Sequence, residues 1–301
     1  MTTVLFTGGG GAGSEALARL LADRYDVHFA DADTDARPHG VALDHWHTIP
    51  LASDPDFVGA LAYLCSGVGV GLLVPGVDEE LVRVGMVRDL FACGVLLPPT
   101  SFVAAHLDKA ASRELLADVV GVPSANPEFP CIIKPRTGRG SRGVAVVRDA
   151  YEMIAHVHLS HQPKDAFVVQ ELVEGDEYTV TVAADATGKL RAIVPIRVAL
   201  KRGITIRAST HHDSAITEAC ERIHEAYPIP GCYNVQCIKQ ADGVVKVFEI
   251  NPRVSTTLCL AIAAGVDPIG IYLGRHPGEG LLPFQDGLTL SRSWHNEFRA
   301  A

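Results

Sequence analysis

The chain has 301 residues, of which 48% are hydrophobic and 20% charged, a composition typical of a soluble globular protein with one large α/β unit or two domains. Its formal net charge of −9 argues against nucleic acid as a partner, and no apolar run is long enough to span a bilayer. The seven cysteines are scattered without a Cys-x-x-Cys pair, so we expect free thiols and a cytoplasmic protein.

The first hundred residues alternate predicted strands and helices, which favours a parallel, doubly wound sheet. A strand over 3–8, with no basic leader before it, runs into a glycine-rich turn and a helix from Ser14 to about Asp23, for which Ser14 is the expected cap. Pro98 and Pro99 punctuate the end of this unit and predict a domain boundary there. The other expected elements are strands over 26–31, 71–75 and 95–97 and a helix over 79–93.

The glycine-rich turn allows two interpretations. Gly8, Gly10 and Gly13 fit G-x-G-x-x-G between a strand and a helix, and Asp31 or Asp33 lies near the end of the next strand. This pattern is the dinucleotide fingerprint and supports an NAD(P)-dependent oxidoreductase. An oligoglycine run satisfies many spacings, however, so a tight strand-to-helix turn without a dinucleotide is the alternative.

A basic hairpin is predicted in the middle of the chain. A helix over 107–120 carries Lys109 in its first turn. The strands 130–135 and 144–147 flank a loop with three glycines and three arginines, and Lys134 is the single charge on the first strand. Such a loop can bring its backbone and guanidinium groups close to phosphate oxygens, although a flexible basic surface hairpin has the same composition.

The remaining chain reads as an alternation of strands and helices. The expected elements are helices over 149–159, 214–226 and 258–265, strands over 166–172, 178–184, 191–199, 233–239 and 244–250, and a polar loop over 201–213. The segment Trp294–Glu297 is interpreted as an edge-packing tail. His211, His212 and Asp213 form a possible metal or substrate cluster, but neighbours on a strand face opposite ways.

The strand near residue 250 ends in a polar face. Glu249, Asn251 and Arg253 occupy every second position, while Phe248 and Ile250 are expected to face a core. A carboxylate, an amide oxygen and a guanidinium group suit a hard cation next to phosphates and an acidic substrate. A solvated strand face with an incidental ion pair is the alternative.

These segments, taken in order, resemble a known family. The matching stretches are Asp108-Lys109, Ile133–Arg136 with its glycine-rich loop, Val169–Glu171 with Glu174–Glu177, Asn234–Gln236 and Glu249–Arg253. Together they resemble the ATP-grasp superfamily over residues 75–267, with carbamoyl-phosphate-synthetase-like amide ligases as the nearest type. The resemblance implies an N-terminal Rossmann-like domain (1–98), which usually binds no dinucleotide in this family. An α+β ATP-grasp domain (99–301) then follows, with a lid lobe at about 110–172 and a central lobe at about 173–301.

The same resemblance implies roles for individual residues. ATP would be held by residues of the lid and its hinge, namely Lys109, Lys134, Arg136, Gly138, Gly140, Ser141, Gly143, Glu171, Leu172, Val173 and Glu177. Mg²⁺ would be bound by Glu249 and Asn251, with Gln236 as a neutral oxygen where many relatives carry an acid. Lys134 and Arg253 would act in catalysis.

The expected activity is an ATP- and Mg²⁺-dependent carboxylate–amine ligase that forms an amide through an acyl-phosphate. The expected partners are a small carboxylate and an amine, with no nucleic acid and no membrane, and homodimers are common in the family. The candidate substrate residues are Arg197, Lys201, Arg202, Gly203, Arg207 and Arg253. The alternatives are the oxidoreductase above and a nucleotide-binding protein without turnover.

Overall fold

The structure is a computed structural model that describes residues 1–294. The expected tail at 295–297 therefore lies outside the described residues. None of the helices found in the described part of the chain has the length and apolar character needed to cross a membrane.

A five-stranded parallel sheet forms the first part of the chain. Its elements are β1 (Thr2–Thr7), α1 (Ser14–Leu21), β2 (Tyr25–Asp31), β3 (Trp46–Thr48), α2 (Phe57–Val68), β4 (Leu72–Val74), α3 (Asp78–Met86) and β5 (Gly94–Val95). The strand order β3-β2-β1-β4-β5 confirms the predicted α/β fold with a parallel sheet. This order reverses direction between β1 and β4, and the carboxyl ends of two such strands bound a crevice in open α/β sheets.

Strand alternation builds a core on each face of this sheet. Val4 and Phe6 pack on the side of Leu17 from α1, whereas Leu5 packs on the side of Phe57 from α2. All five side chains are buried. The sheet is therefore covered on both faces, as all-parallel sheets are.

Three details of this part differ from the prediction. β3 and α2 were not predicted, because β3 has only three residues and α2 carries apolar residues around most of its circumference. The helix expected over 79–93 ends at Met86 and is followed by a separate 3₁₀ turn. Ser14 does not cap α1, since the cap position is Gly13 and no side chain bonds the helix end.

A three-stranded antiparallel sheet of order β7-β6-β8 follows. Its part of the chain contains α4 (Thr100–Leu107), α5 (Lys109–Ala117), β6 (Cys131–Pro135), β7 (Ala145–Val147), α6 (Ala150–Ser160) and β8 (Phe167–Glu171). The helix predicted over 107–120 is present as α5 but is shorter at both ends, and α4 before it was not predicted. Asp108 separates α4 from α5, because its carboxylate caps α5 by accepting a hydrogen bond from the Ala110 amide at 2.9 Å.

A six-stranded antiparallel sheet of order β13-β12-β9-β10-β11-β14 completes the described structure. Its elements are β9 (Asp176–Ala184), β10 (Leu190–Arg202), β11 (Ile204–Thr210), α7 (Ser214–Ala226), β12 (Gly231–Lys239), β13 (Val245–Asn251), α8 (Leu258–Ala263), α9 (Pro268–Tyr272) and β14 (Thr289–Ser291). The polar loop predicted over 201–213 is wrong. β10 and β11 form a hairpin that turns at Gly203, which has a φ of +71°.

A buried carboxyl group holds the turn that follows β4. Glu80 is 1% exposed, and its carboxylate accepts hydrogen bonds from the amides of Gly76 (2.9 Å) and Val77 (3.0 Å) and from the Thr7 hydroxyl. Burial raises the pKa of Glu80 to about 7, although these three donors oppose the shift. The carboxyl ends of β1 and β4 are thus joined through one side chain.

We expect the protein to lose stability relative to its Glu80→Gln variant as pH rises from about 4.5 to about 7. The folded state retains the Glu80 proton over this range while the unfolded chain releases it, so deprotonation favours unfolding. The relative loss should approach about 3 kcal/mol, since one pKa unit corresponds to ~1.4 kcal/mol. Urea unfolding at pH 5, 6 and 7.5 measures it. Glu218→Gln, on an exposed part of α7, is the control, and parallel pH profiles for all three proteins would contradict the prediction.

Candidate functional site

A cavity of about 320 Å³ lies between the three-stranded and six-stranded sheets. One wall comes from β6, the loop after it and the end of β8, and the other comes from β9, β10, β12 and β13. Its volume falls within the range of small-molecule and cofactor sites.

Three lysines converge at one end of this cavity. Lys134 is 5% exposed, and its ammonium group donates to the Phe248 carbonyl at 3.1 Å. Lys109 Nζ lies 3.4 Å from a Glu249 carboxylate oxygen, and Lys201 also lines the cavity. Burial lowers the pKa of Lys134 to about 8, with Lys109 and Lys201 adding to the shift and Glu249 opposing it. This end of the cavity is therefore suited to an anion that supplies the missing negative charge.

The glycine-rich loop covers the lysines, although not with every residue expected. Gly138, Gly140 and Ser141 line the cavity, and the Gly138 carbonyl accepts from Lys109 at 2.8 Å. Gly143 does not line it. Arg136, which was also expected to bind the nucleotide, does not line the cavity, because its guanidinium group forms a two-pronged ion pair with Asp108.

The other end of the cavity has apolar walls and a paired carboxylate. Glu171 lies 2.6 Å from Lys246 Nζ and accepts from the Ser124 amide at 3.0 Å, and the Lys246 hydrogen bond lowers the pKa of Glu171. The Glu171 side chain is thereby engaged, which leaves main-chain groups near Val173 for a ligand. Leu172, expected here too, does not line the cavity. The apolar lining includes Ile132, Val144 and Ile238.

The candidate metal ligands lie side by side on two paired strands. Gln236 on β12 is directly opposite Glu249 on β13, and Asn234 is opposite Asn251. Carboxylate and amide oxygens of this kind suit Mg²⁺. The Glu249 carboxylate already pairs with one positive group, the ammonium group of Lys109, so its position can hold a cation.

Phe248 does not face the core as predicted. The β12–β13 register shifts between Gln236 and Cys237, which leaves Phe248 as an extra residue in β13. Such a bulge redirects a side chain, and here the Phe248 ring lines the cavity with Lys134 Nζ 5.5 Å from its centroid. Ile250 is buried as expected.

Asn234 is a site residue whose side chain the sequence analysis did not assign. It is 1% exposed, and its amide group donates to the Thr179 hydroxyl at 2.7 Å. Its side-chain oxygen is buried and has no hydrogen-bond partner within residues 1–294. The signal was available, since Asn234 stands two positions before Gln236 and therefore on the same strand face.

A second cavity of about 400 Å³ adjoins the first. It opens at the carboxyl ends of β1 and β4, and its walls include the glycine-rich turn, the start of α1 and the β10–β11 hairpin. The two cavities share walls formed by Arg139, Gly140, Arg142, Lys201, Gly203 and Gln236.

The residues expected at the substrate divide into two groups. Lys201, Arg202, Gly203 and Arg253 line one or both cavities, and the Arg253 guanidinium group is paired with Asp78 and donates to the Val254 carbonyl at 3.0 Å. Lys201 also contacts Glu177 at 2.5 Å.

Arg197 and Arg207 lie outside both cavities, contrary to the prediction. Arg197 is exposed and pairs with Asp176 at 2.8 Å, and Arg207 is an exposed residue of β11 beside the edge strand β14. A register shift after Val198 separates Arg197 from the cavity-facing end of β10.

The glycine-rich turn lacks the arrangement expected for a dinucleotide. Asp31 uses its carboxylate to accept from the amides of Gly10 (2.9 Å) and Asp33 (3.1 Å). A Cβ at Gly13 would lie 3.0 Å from the Thr256 carbonyl, so the 253–257 segment packs against the start of α1, where a pyrophosphate would bind. The turn instead forms a wall of the second cavity.

The cluster at His211, His212 and Asp213 does not converge. The His211 ring lies 4.0 Å from Asp286, whereas Asp213 caps α7 and pairs with Lys239. These residues line neither of the two cavities.

Comparisons with known proteins give matches to one family model and to several relatives. The family described as "ATP-grasp in the biosynthetic pathway with Ter operon" matches residues 163–291. The chain is 30% identical over 207 residues to the carbamoyl phosphate synthase large chain of Myxococcus xanthus, a match that covers 64% of this chain and 18% of that one. It is 27% identical over 266 residues to the D-alanine–D-alanine ligase of Anaeromyxobacter dehalogenans, covering 84% of this chain and 78% of the ligase.

A solved structure shares the fold. The biotin carboxylase domain of Hydrogenobacter thermophilus 2-oxoglutarate carboxylase, in complex with MgADP and bicarbonate, superposes with a TM-score of 0.70 at 13% identity, over 96% of this chain and 73% of that one. The chain spans only part of the curated relatives, 18% of the carbamoyl phosphate synthase and 51% of a D-alanine–D-alanine ligase from Bacillus anthracis. From these matches and the fold, the chain contains an ATP-grasp domain and has carbamoyl phosphate synthase and D-alanine–D-alanine ligase among its homologues.

Proposed function

We propose that the protein is an ATP- and Mg²⁺-dependent ligase that joins a small, amino-acid-like carboxylate to an amine. The observation that carries the proposal is the convergence of Lys109, Lys134 and Lys201 with Glu249 under a glycine-rich loop, beside a second cavity that contains Arg253. The homologous D-alanine–D-alanine ligase supports a carboxylate and an amine as the substrate class.

In this proposal the first cavity takes the nucleotide. The adenine lies against the apolar end near Val173, and Glu177 lies where a ribose hydroxyl would be held. The phosphates lie at the three lysines under Gly138, Gly140 and Ser141. Positioning and charge neutralisation are the main requirements of phosphoryl transfer, and this end of the cavity offers both.

Glu249, Asn251 and Gln236 would hold Mg²⁺, and the unpartnered oxygen of Asn234 fits the same oxygen-rich face. Mg²⁺, when bound, neutralises charge on the transferred phosphoryl group. An oxygen of the substrate carboxylate attacks the γ-phosphorus of ATP. The bond between that phosphorus and the leaving oxygen of ADP breaks at the same time. The amine nitrogen then attacks the acyl carbon, phosphate leaves, and the amine loses a proton. Arg253 would position the carboxylate or its acyl-phosphate.

We also propose the domain division expected from the sequence, with a Rossmann-like unit at 1–98 and an ATP-grasp unit at 99–301 whose lid and central lobes close on the nucleotide. The parallel sheet followed by two antiparallel sheets supports this domain division. Assembly as a homodimer stays a prediction.

Trapping the intermediate tests the proposal. With ATP, Mg²⁺ and panels of amino acids, the protein should release ADP, and hydroxylamine should capture an acyl hydroxamate when the amine is omitted. NADH titration should show no binding. Tight binding of Mg²⁺-ATP without ADP formation for any carboxylate and amine would instead favour a nucleotide-binding protein without turnover.

A further inference from the structure

Three histidines and two aspartates cluster at the end of the parallel sheet that is opposite the cavities. Asp26 and His28 lie near the amino end of β2, and His45 and His47 flank Trp46 at the start of β3. Asp44 completes the group. The second cavity opens at the carboxyl ends of β1 and β4, and the first lies between the two antiparallel sheets. No residue of this cluster lines either cavity, so it is separate from the proposed nucleotide and substrate sites.

Strand pairing brings the cluster together. β2 and β3 are parallel, with Ala30 opposite His47, so His45 comes next to His28 two positions earlier. The period of two places Asp26 and His28 on one face of β2. The His28 and His45 rings are stacked with centroids 4.4 Å apart. The spacing Asp-x-His followed by Asp-His-x-His was present in the sequence and was not recognised as a site.

The side chains of Asp26, His28 and His45 each place a candidate metal-ligand atom close to the other two. His28 Nε2 lies 3.2 Å from Asp26 Oδ2, and His45 Nε2 lies 3.0 Å from Asp26 Oδ1. One atom from each of the three side chains falls within 4.8 Å of the other two. Ligands of a tetrahedral Zn²⁺ at about 2.0–2.1 Å are roughly 3.3 Å apart, so small adjustments would admit an ion.

The other ring nitrogens are already held by hydrogen-bond partners. His45 Nδ1 lies 2.9 Å from Asp44 Oδ1, and His28 Nδ1 lies 2.9 Å from His47 Nε2. Metal-ligating histidines usually donate their second N–H to such a partner, which directs the lone pair of the first nitrogen at the ion.

From this arrangement we propose that Asp26, His28 and His45 form a site for a divalent transition-metal ion such as Zn²⁺, with Asp44 and His47 as positioning residues. Two imidazoles and a carboxylate favour Zn²⁺ or Co²⁺ over Mg²⁺. The remaining coordination position faces solvent, since Asp26 and His45 are partly exposed. The ion would join β2 to the start of β3, so its expected effect is on stability and not on the ligase reaction.

Calorimetric titration of the metal-free full chain with Zn²⁺, in excess Mg²⁺ to occupy the oxygen ligands near Glu249, tests the proposal. We expect one equivalent to bind and the melting temperature to rise. His45→Gln should weaken binding at least 10-fold and abolish the rise, and Asp44→Asn should weaken it by about 10- to 100-fold, the usual effect of losing such a partner. His158→Gln, at an exposed histidine of α6, is the matched control and should bind as the parent does.

Two results would overturn the site. One is the absence of saturable Zn²⁺ binding, and the other is unchanged binding by His45→Gln. Glu249→Gln should retain Zn²⁺ binding, and a loss in that variant would assign the ion to the nucleotide cavity. His45 is partly exposed, so His45→Gln should fold, and circular dichroism checks this. The absorption bands of Co²⁺-loaded protein give a second readout, because their intensity reports coordination by the histidines.

Discussion

Replacing Lys134 with alanine should reduce ADP formation by about 10²–10³-fold, the usual effect of removing one preorganised group that stabilises developing charge. Lys134 is 5% exposed, lines the first cavity and donates to the Phe248 carbonyl, so its ammonium group is held in a fixed position there. Steady-state ADP release measures the loss. Lys189→Ala is the matched control, because Lys189 pairs on the surface with Glu279 and contacts neither cavity.

The same lysine predicts a pH dependence. Because the pKa of Lys134 is lowered to about 8, the free protein loses its ammonium charge as pH rises through that value. Phosphates favour the protonated form, so nucleotide binding above pH 8 must take up a proton, and affinity should fall as pH increases. Isothermal titration with ADP from pH 6.5 to 9.5 measures this. Affinity that is flat across the range, or equal activity in Lys134→Ala, would contradict the assignment of Lys134 to the phosphates.

Glu249→Gln should abolish most turnover while it preserves the shape of the site. The substitution retains an oxygen opposite Gln236 but removes the only acidic ligand among the three proposed for Mg²⁺. We expect a loss of at least about 10²-fold in ADP formation, of the order seen when charge stabilisation is removed, and a higher Mg²⁺ concentration for half-maximal rate.

Glu218→Gln, an exposed change of the same chemistry on α7, should behave as the parent. The Glu249 variant also leaves Lys109 without its ion pair, so its unfolding free energy must be measured. If the Mg²⁺ requirement and the rate were both unchanged, Glu249 would have a structural role in pairing with Lys109 and no part in metal binding.

How much of the site could be predicted depended on whether local sequence decides a side chain's direction. Strand alternation was sufficient for Glu249 and Asn251, and the position of Lys134 on a buried strand was sufficient for the basic end. It failed at Phe248, because a bulge arises from pairing with β12 and leaves no local signature. Local sequence also did not show that the Arg136 side chain turns away from the cavity. Its guanidinium group is bound by Asp108, the residue that caps α5, which is distant in sequence.

The fold likewise has features that local sequence predicted and features that it did not. The parallel sheet follows from alternating apolar strands and helices, but β11 was taken for a loop. Its polar residues, such as Arg207 and Ser209, face away from buried Ile206 and Ala208. The cluster of candidate metal ligands around His28 and His45 also depends on the pairing of β2 with β3. A pattern within one strand cannot reveal that pairing.

The wall common to the two cavities affects how a reactive intermediate would be protected. Arg139, Gly140 and Arg142 from the glycine-rich loop border both spaces, and Lys201 and Gly203 border them from the opposite hairpin. A phosphoryl group transferred between ligands in the two spaces would therefore stay beside residues that line both of them. One movement of the loop would expose both ligands to water together, so hydrolysis of the intermediate and premature loss of the nucleotide should rise and fall as a pair.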